Sequence, residues 1–305
     1  MARDSRIEWT DHTFNPWWGC TKVSPACDNC YADTWAKRVG LDIWGAGKPR
    51  KFLSDAYWRQ PRRWNAKAQQ SGHRARVFCA SMADVFEWKR GLSYWRHRLW
   101  HLIEETPYLD WLLLTKRPHL AQRLAPWDDH WPDNVWLGTT VENQRWVNKR
   151  LPRLTEIPAR TRFLSCEPLL GPIDLRGWLG RDVVHWVIAG GESGPRARPS
   201  DPLWFFAIRD QCAAHETPFH FKQWGEWAPL DALPGLLPRS VLDDGSYSTP
   251  MGRYGKKASG RVLDSRTWDD FPCSVEEHFD APANRESATA AGALHGDSPL
   301  TFQTL

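Results

Sequence analysis

The sequence predicts an α/β chain whose parallel strands form a full or partial (β/α) barrel, followed by an irregular C-terminal extension. Two observations carry this. Six apolar runs of strand length recur along the chain: ARVFCAS (75–81), YLDWLLLT (108–115), NVWLGTTV (134–141), TRFLSC (161–166), VVHWVIAG (183–190) and PFHFKQW (218–224). Helical patterns lie between most of them, and strands alternating with helices argue for parallel βα units. An open doubly wound sheet is the second architecture that fits.

The elements follow in order. Ile7–Thr10 reads as a first strand. Leu92, Trp95, Leu99 and Leu102 mark one apolar helix face. Residues 118–124 and 143–151 read as short helices. Asp201-Pro202 supplies an N-cap followed by proline at the first helical position, so a helix runs from there to about Ala214. The barrel then spans 1–227. Residues 228–250 are rich in Pro, Gly and Asp and read as a long loop, opening an extension over 228–280 that packs on the barrel. Residues 281–305, rich in Ala, Gly, Ser and Thr, read as a disordered tail.

Composition excludes other classes. The chain has 305 residues, 41% hydrophobic and 25% charged, which are globular proportions. No apolar run reaches the length of a membrane span, and the charged start MARDSRIEWTDH lacks a signal-peptide core. A cytoplasmic protein with no membrane association is the expectation. Tryptophan is in excess, 21 residues against 6 tyrosines.

The strongest chemical signal is WWGCTKVSPACDNCYAD, which places Cys20, Cys27 and Cys30 at C-x6-C-x2-C spacing. Three thiolates on one loop can hold a 4Fe–4S cluster with one iron open to a ligand. A zinc ion is the alternative and needs a fourth ligand, for which His12 is nearest in sequence. Three unrelated packing cysteines are the plain alternative, although Cys-Asp-Asn-Cys makes a poor core. Cys79 and Cys212 read as packing residues, and neither Cys166 nor Cys273 has a partner at ligand spacing.

The run IEWTDHTFNPWWGCTKVSPACDNCYAD resembles the opening of a phage-associated family called the three-Cys-motif proteins. RVFCASMADVF, LLLTKRP, VWLGTTVENQ, RFLSCEPLLGPIDL, WVIAGGESGPRARP, FHFKQWGEW and GKKASGRVLD extend the resemblance over about residues 7–273. That family is regarded as similar to radical S-adenosylmethionine (SAM) enzymes, and its members are often encoded beside a three-Cys-motif partner protein. The resemblance implies a radical-SAM-like barrel, a cluster on Cys20, Cys27 and Cys30, and SAM as cofactor. It also implies a cofactor contact at Gly190, Gly191, Glu192 and Ser193, where a GGE-type motif would meet the methionine amine. Two departures stand out. The first cysteine gap is six residues rather than three, and the aromatic Tyr31 follows the last cysteine rather than preceding it.

Each strand-like run turns from apolar to polar within two or three residues. In a parallel barrel such strand ends form the site. Ser81, Asp84, Lys116, Arg117, Glu142, Asn143, Glu167, Lys222 and Gln223 are therefore the substrate-pocket candidates. Net charge is +4, yet residues 45–76 hold nine Lys/Arg against the single acid Asp55. Arg59, Arg62, Arg63 and Lys67, interleaved with Tyr57, Trp58 and Trp64, suit a contact with DNA or RNA, phosphates on the cations and bases on the rings. The functional expectation is a radical SAM-like iron–sulfur enzyme, with a nucleic-acid base among its candidate substrates. The alternative is a non-catalytic metal- or nucleic-acid-binding module working with a partner protein.

Overall fold

The computed structural model describes residues 7–233 and 235–272, so Cys273 and the expected tail at 281–305 lie outside the described residues. In chain order the elements are β1 (His12–Phe14), β2 (Trp17–Trp18), α1 (Tyr31–Arg38), β3 (Lys51–Phe52), α2 (Asp55–Trp58), α3 (Gln60–Ser71) and β4 (Ala75–Cys79). Next come α4 (Ser93–Glu104), β5 (Leu109–Thr115), α5 (Ala121–Leu124), β6 (Val135–Thr140), α6 (Gln144–Thr155), β7 (Thr161–Cys166), β8 (Trp186–Gly190), α7 (Pro202–Ala214) and β9 (Phe219–Gln223). The last are β10 (Trp227–Pro229), β11 (Val241–Leu242), β12 (Met251–Arg253) and α8 (Lys256–Ser259).

Seven strands form one sheet in the order β1-β4-β5-β6-β7-β8-β9, and every neighbouring pair is parallel. A doubly wound sheet reverses its strand order at a switch point. Here the order runs one way, which is the winding of a barrel. β1 and β9 are its edges, and no ladder joins them among the described residues, so the barrel is partial.

Side chains alternate across a strand, and the two faces differ in kind. One carries Val77, Trp111, Leu113, Leu137, Leu164, Val187 and Phe221, packed with helix residues such as Leu99, Leu151 and Phe205 in the main core. The other carries Phe78, Leu112, Trp136, Phe163, Trp186 and Ile188, joined by Trp9. Followed along each strand, this second face changes character by alternate residues: Trp136, Gly138, Thr140 on β6; Phe163, Ser165, then Glu167 on β7; His220, Lys222 on β9. An aromatic floor thus gives way to a polar mouth at the C-terminal strand ends. Gly138 is required in this layer, because a Cβ there would come within 2.4 Å of the Phe163 ring.

Two expectations need correction. The first strand is His12–Phe14 rather than Ile7–Thr10. The Thr10 hydroxyl accepts from the Phe78 amide at 3.1 Å and contacts the Arg76 carbonyl at 2.9 Å, so a side chain occupies the ladder positions a strand would have used. The loop expected over 228–250 contains β10 and β11, which pair antiparallel on either side of β12. Their partner arrives only at residue 251, beyond reach of a local pattern. Further on, Trp268–Phe271 lies along the β9 edge. The Phe221 amide donates to the Trp268 carbonyl at 3.0 Å, and Phe271 reaches Trp186 on the floor at 5.1 Å between ring centroids. Capping an edge strand in this way removes a template for unwanted pairing.

Candidate active site

A cavity of about 570 Å³ opens at the C-terminal strand ends, and Cys20, Cys27 and Cys30 all line it. The loop carrying them departs from β2, which pairs with β3. Gly19 follows at φ +107°, where a Cβ would meet the Ile43 carbonyl at 2.4 Å. A 3-10 turn at Pro25–Cys27 leads to α1, which begins immediately after Cys30.

Three acid–arginine pairs, each based at a strand end, grip this loop. After β4 and β5, Asp84 and Arg117 pair at 2.7 Å. Arg117 donates onward to the Thr21 carbonyl at 2.7 Å and approaches the Cys20 sulfur at 3.7 Å. After β6, Glu142 pairs with Arg150 of α6 at 2.8 Å, both side chains fully buried, and its other oxygen accepts from the Ala26 amide at 3.2 Å. After β8, Glu192 pairs with Arg198 at 2.6 Å and accepts from the Asn29 side chain at 3.0 Å. Arg198 also donates to the Pro25 carbonyl at 2.9 Å. Each cysteine therefore lies next to a point where the barrel holds its loop.

Electrostatics follow from these contacts. Burial opposes the charge on Asp84, but Arg117, the Thr115 hydroxyl and the Lys116 amide outweigh it and hold the carboxyl below its ordinary range. Glu192 is likewise held low: burial works against the carboxylate, and the hydrogen bonds from Arg198 and Asn29 prevail. Burial pushes the Cys20 thiol up to about 12 although Arg117 opposes it, and burial raises Cys30 as well.

Most of the residues singled out in the sequence come together here. Ser81, Asp84, Lys116, Arg117, Glu167, Gly191, Glu192, Ser193, Lys222 and Gln223 line the cavity with the cysteines. Lys222 sits on Glu167 at 2.8 Å, and Gln223 links Glu167 to Ser193. Lys116 has the Thr140 hydroxyl at 3.2 Å. Glu142, Asn143 and Gly190 do not line the cavity; Glu142 acts from behind the wall through Ala26. Gly191 is needed for packing, since a Cβ there would fall 1.8 Å from the Trp224 carbonyl.

His12 is not brought to the cysteines, because its ring stacks on Trp64 at 4.3 Å. Of the interleaved aromatics at 45–76, Trp58 and Trp64 are buried in the core, and Tyr57 stacks on Phe14. Arg62 pairs with Glu105 just past α4, near the start of β5 and thus toward the opposite end of the strands from the cavity. Arg50 is buried against Glu87 at 2.6 Å. Sequence reasoning missed Arg150 and Arg198, and it missed Lys256 of α8, which also lines the cavity. An acid at a strand end with an arginine shortly afterwards was the available signal for the first two.

The two metal readings ask different things of these donors. A single zinc ion takes thiolates at about 2.3 Å, so its ligands must converge on one point. Among the described residues no group of three His, Cys, Asp or Glu side chains does so. A 4Fe–4S cluster takes its thiolates on separate irons, and the three cysteines line one cavity without meeting at a point.

The fold is similar to solved structures of spore photoproduct lyase. One variant of that enzyme, with bound AdoMet and dinucleoside spore photoproduct, aligns over 82% of this chain and 70% of its own at 13% identity and a TM-score of 0.43. A second variant aligns over the same shares at 15% identity and a TM-score of 0.42. No curated protein matches the chain. The family model described as "Protein of unknown function (DUF5131)" matches residues 4–272, and the chain belongs to that family.

Proposed function

We propose that this chain is an iron–sulfur enzyme of the radical SAM type, in which Cys20, Cys27 and Cys30 hold a 4Fe–4S cluster. The observation that carries the reading is the delivery of three thiols to one cavity at the C-terminal ends of parallel strands, on a loop fixed beside each of them. When bound, the cluster supplies a low-potential electron and an open iron at which SAM binds for reductive cleavage.

The chain's own residues do the rest. Asp84–Arg117, Glu142–Arg150 and Glu192–Arg198 hold the loop in place before any ligand arrives, so little ordering remains for binding. Glu192 is engaged by Arg198 and Asn29, which makes it a positioning residue for the Cys27–Cys30 segment, and with Gly191 and Ser193 it lines the cavity where the GGE-type contact to a methionine amine would lie. Lys116 and Lys256 line the cavity as cations suited to a carboxylate or phosphate, while the Lys222 ammonium is taken up by Glu167. Trp9, Phe78 and Leu114 line its inner end with apolar surface that keeps water from the reacting atoms.

Protein purified without oxygen is expected to be brown, with about four irons and four sulfides per chain. With dithionite and SAM it is expected to release 5′-deoxyadenosine and methionine, and Cys→Ala at position 20, 27 or 30 to abolish both iron and product. A colourless protein carrying one zinc overturns the reading. So does an intact cluster that yields no 5′-deoxyadenosine, which leaves a metal-binding module without SAM chemistry.

A further inference from the structure

Several aromatic rings lie exposed outside the cavity, and ring–ring and cation–ring contacts join them into one ribbon. It starts on α1. Tyr31 lines the cavity mouth and is 55% exposed, and Trp35, one turn on, is 38% exposed. Trp35 meets Trp18 edge to face at 5.1 Å, and the Lys51 ammonium stands 4.9 Å over the Trp18 ring. Next to Lys51, Phe52 is 40% exposed and stacks on Trp95 at 4.6 Å. Trp95 touches Tyr94, which is 67% exposed. Tyr94 then forms a wall of a surface cleft between α2–α3 and α4 that also holds Asp55, Arg59, Arg62, His97, Arg98 and Glu105.

The charges along this ribbon do not cancel. In the cleft Arg98 pairs with Asp55 at 2.6 Å, and Arg62 pairs with Glu105. Arg59 at the cleft, Lys51 in the middle and Arg38 on α1 have no ion-pair partner among the described residues, and all three are exposed. Exposed rings interleaved with uncompensated cations match what a flexible polyanion with flat, unstacked bases requires. A duplex hides its base faces, so the rings favour an unpaired strand.

We infer that this ribbon binds single-stranded nucleic acid, with bases on Tyr94, Phe52 and Trp35 and phosphates on Arg59, Lys51 and Arg38. The strand runs toward Tyr31, where one nucleotide reaches the cavity. That last step rests on the reading of the cavity as a reaction site; the binding does not. The rings are not those suggested by the sequence, since Trp58 and Trp64 are buried.

Fluorescence anisotropy with labelled oligonucleotides of about 15 residues tests this, as single-stranded DNA, single-stranded RNA and duplex DNA over a salt series. Single strands are expected to bind more tightly than duplex, and the DNA and RNA arms identify the better ligand. Tyr94→Ala and Arg59→Gln, both surface changes, are each expected to weaken single-strand binding at least about fivefold. Arg59→Gln is also expected to lower the salt slope by about 0.7. Iron content, unchanged in both variants, separates loss of binding from loss of the cluster. Absence of saturable binding to every oligonucleotide overturns the inference, as does equal binding of duplex or binding unchanged in both variants. Self-association abolished by Tyr94→Ala, without oligonucleotide binding, assigns the face to a second copy of the chain instead.

Discussion

His220 is the least expected residue of the floor. It sits fully buried on β9 among Trp186, Phe271 and the interior face of the sheet. Neither ring nitrogen has a hydrogen-bond partner, and its closest carboxylate, Asp269, stands 3.7 Å away and half exposed. Burial pushes its pKa down to about 4, with Arg261 adding to the fall and Asp269 opposing it. The unfolded chain takes up this proton near pH 6.5, the folded chain only near 4. The stabilisation is therefore whole above about pH 6.5 and is lost as pH falls through that window. Moving from pH 7 to pH 5 is expected to cost about 2 kcal/mol through this one group. Urea unfolding at both pH values checks it, and His220→Phe is expected to remove most of the difference. PFHFKQW reads plainly as a strand, and its alternation puts the histidine opposite the two phenylalanines. What the sequence leaves open is whether the histidine's face meets water, and the aromatic floor decides that.

The loop from Gly19 to Cys30 shows how far single elements were legible. All six apolar runs became strands, and helices formed at 93–104 and 202–214 where periodicity and capping placed them, while the short helix expected over 143–151 runs on to Thr155. The cysteines stood out by spacing alone. The loop's anchors did not: Glu142 with Arg150 and Glu192 with Arg198 are local pairs, but their bonds to Ala26, Asn29 and Pro25 form only once strand order has brought the mouth together. Trp64 was legible in retrospect: Pro61, Trp64 and Ala68 recur on one buried face of α3. The anchors carry a prediction. Arg150→Met leaves the Glu142 charge buried and unpaired, and such a loss costs about 3–5 kcal/mol, measurable by denaturant unfolding. Arg198 is itself about one-third exposed but its partner Glu192 is buried, so Arg198→Met is expected to cost less than Arg150→Met while quickening hydrogen exchange at Ala26–Asn29 and not in β5–β7. Equal exchange in the loop would show that Arg198 does not restrain it.

Across the chain, the sheet winds one way and stops before closing, and Phe271 makes good part of the gap at the base. The Arg76 guanidinium of β4 lies 3.9 Å over its ring while Trp186 of β8 lies on another side. The segment ties strands near the two edges of the sheet. Phe271→Ala is expected to destabilise the chain by about 2 kcal/mol, less than a fully buried phenylalanine because the ring is partly exposed. A thermal melt and dye binding to the newly exposed floor would report it, and an unchanged melt would mean the base is held without this ring. Parallel βα units were legible from the alternation of strands and helices, whereas the one-way winding came only with the strand order, since a doubly wound sheet shows the same alternation. The closure at the base was not, since a single aromatic at residue 271 carries no sequence signal of where it docks.

The aromatic floor has a consequence for traffic. Aromatic side chains pack the base of this cavity, and Tyr31, more than half exposed, lines it as well. On the proposed function, a strand settled over Tyr31 would cover a small ligand bound deeper in the cavity. That ligand would then enter before the strand and leave after it.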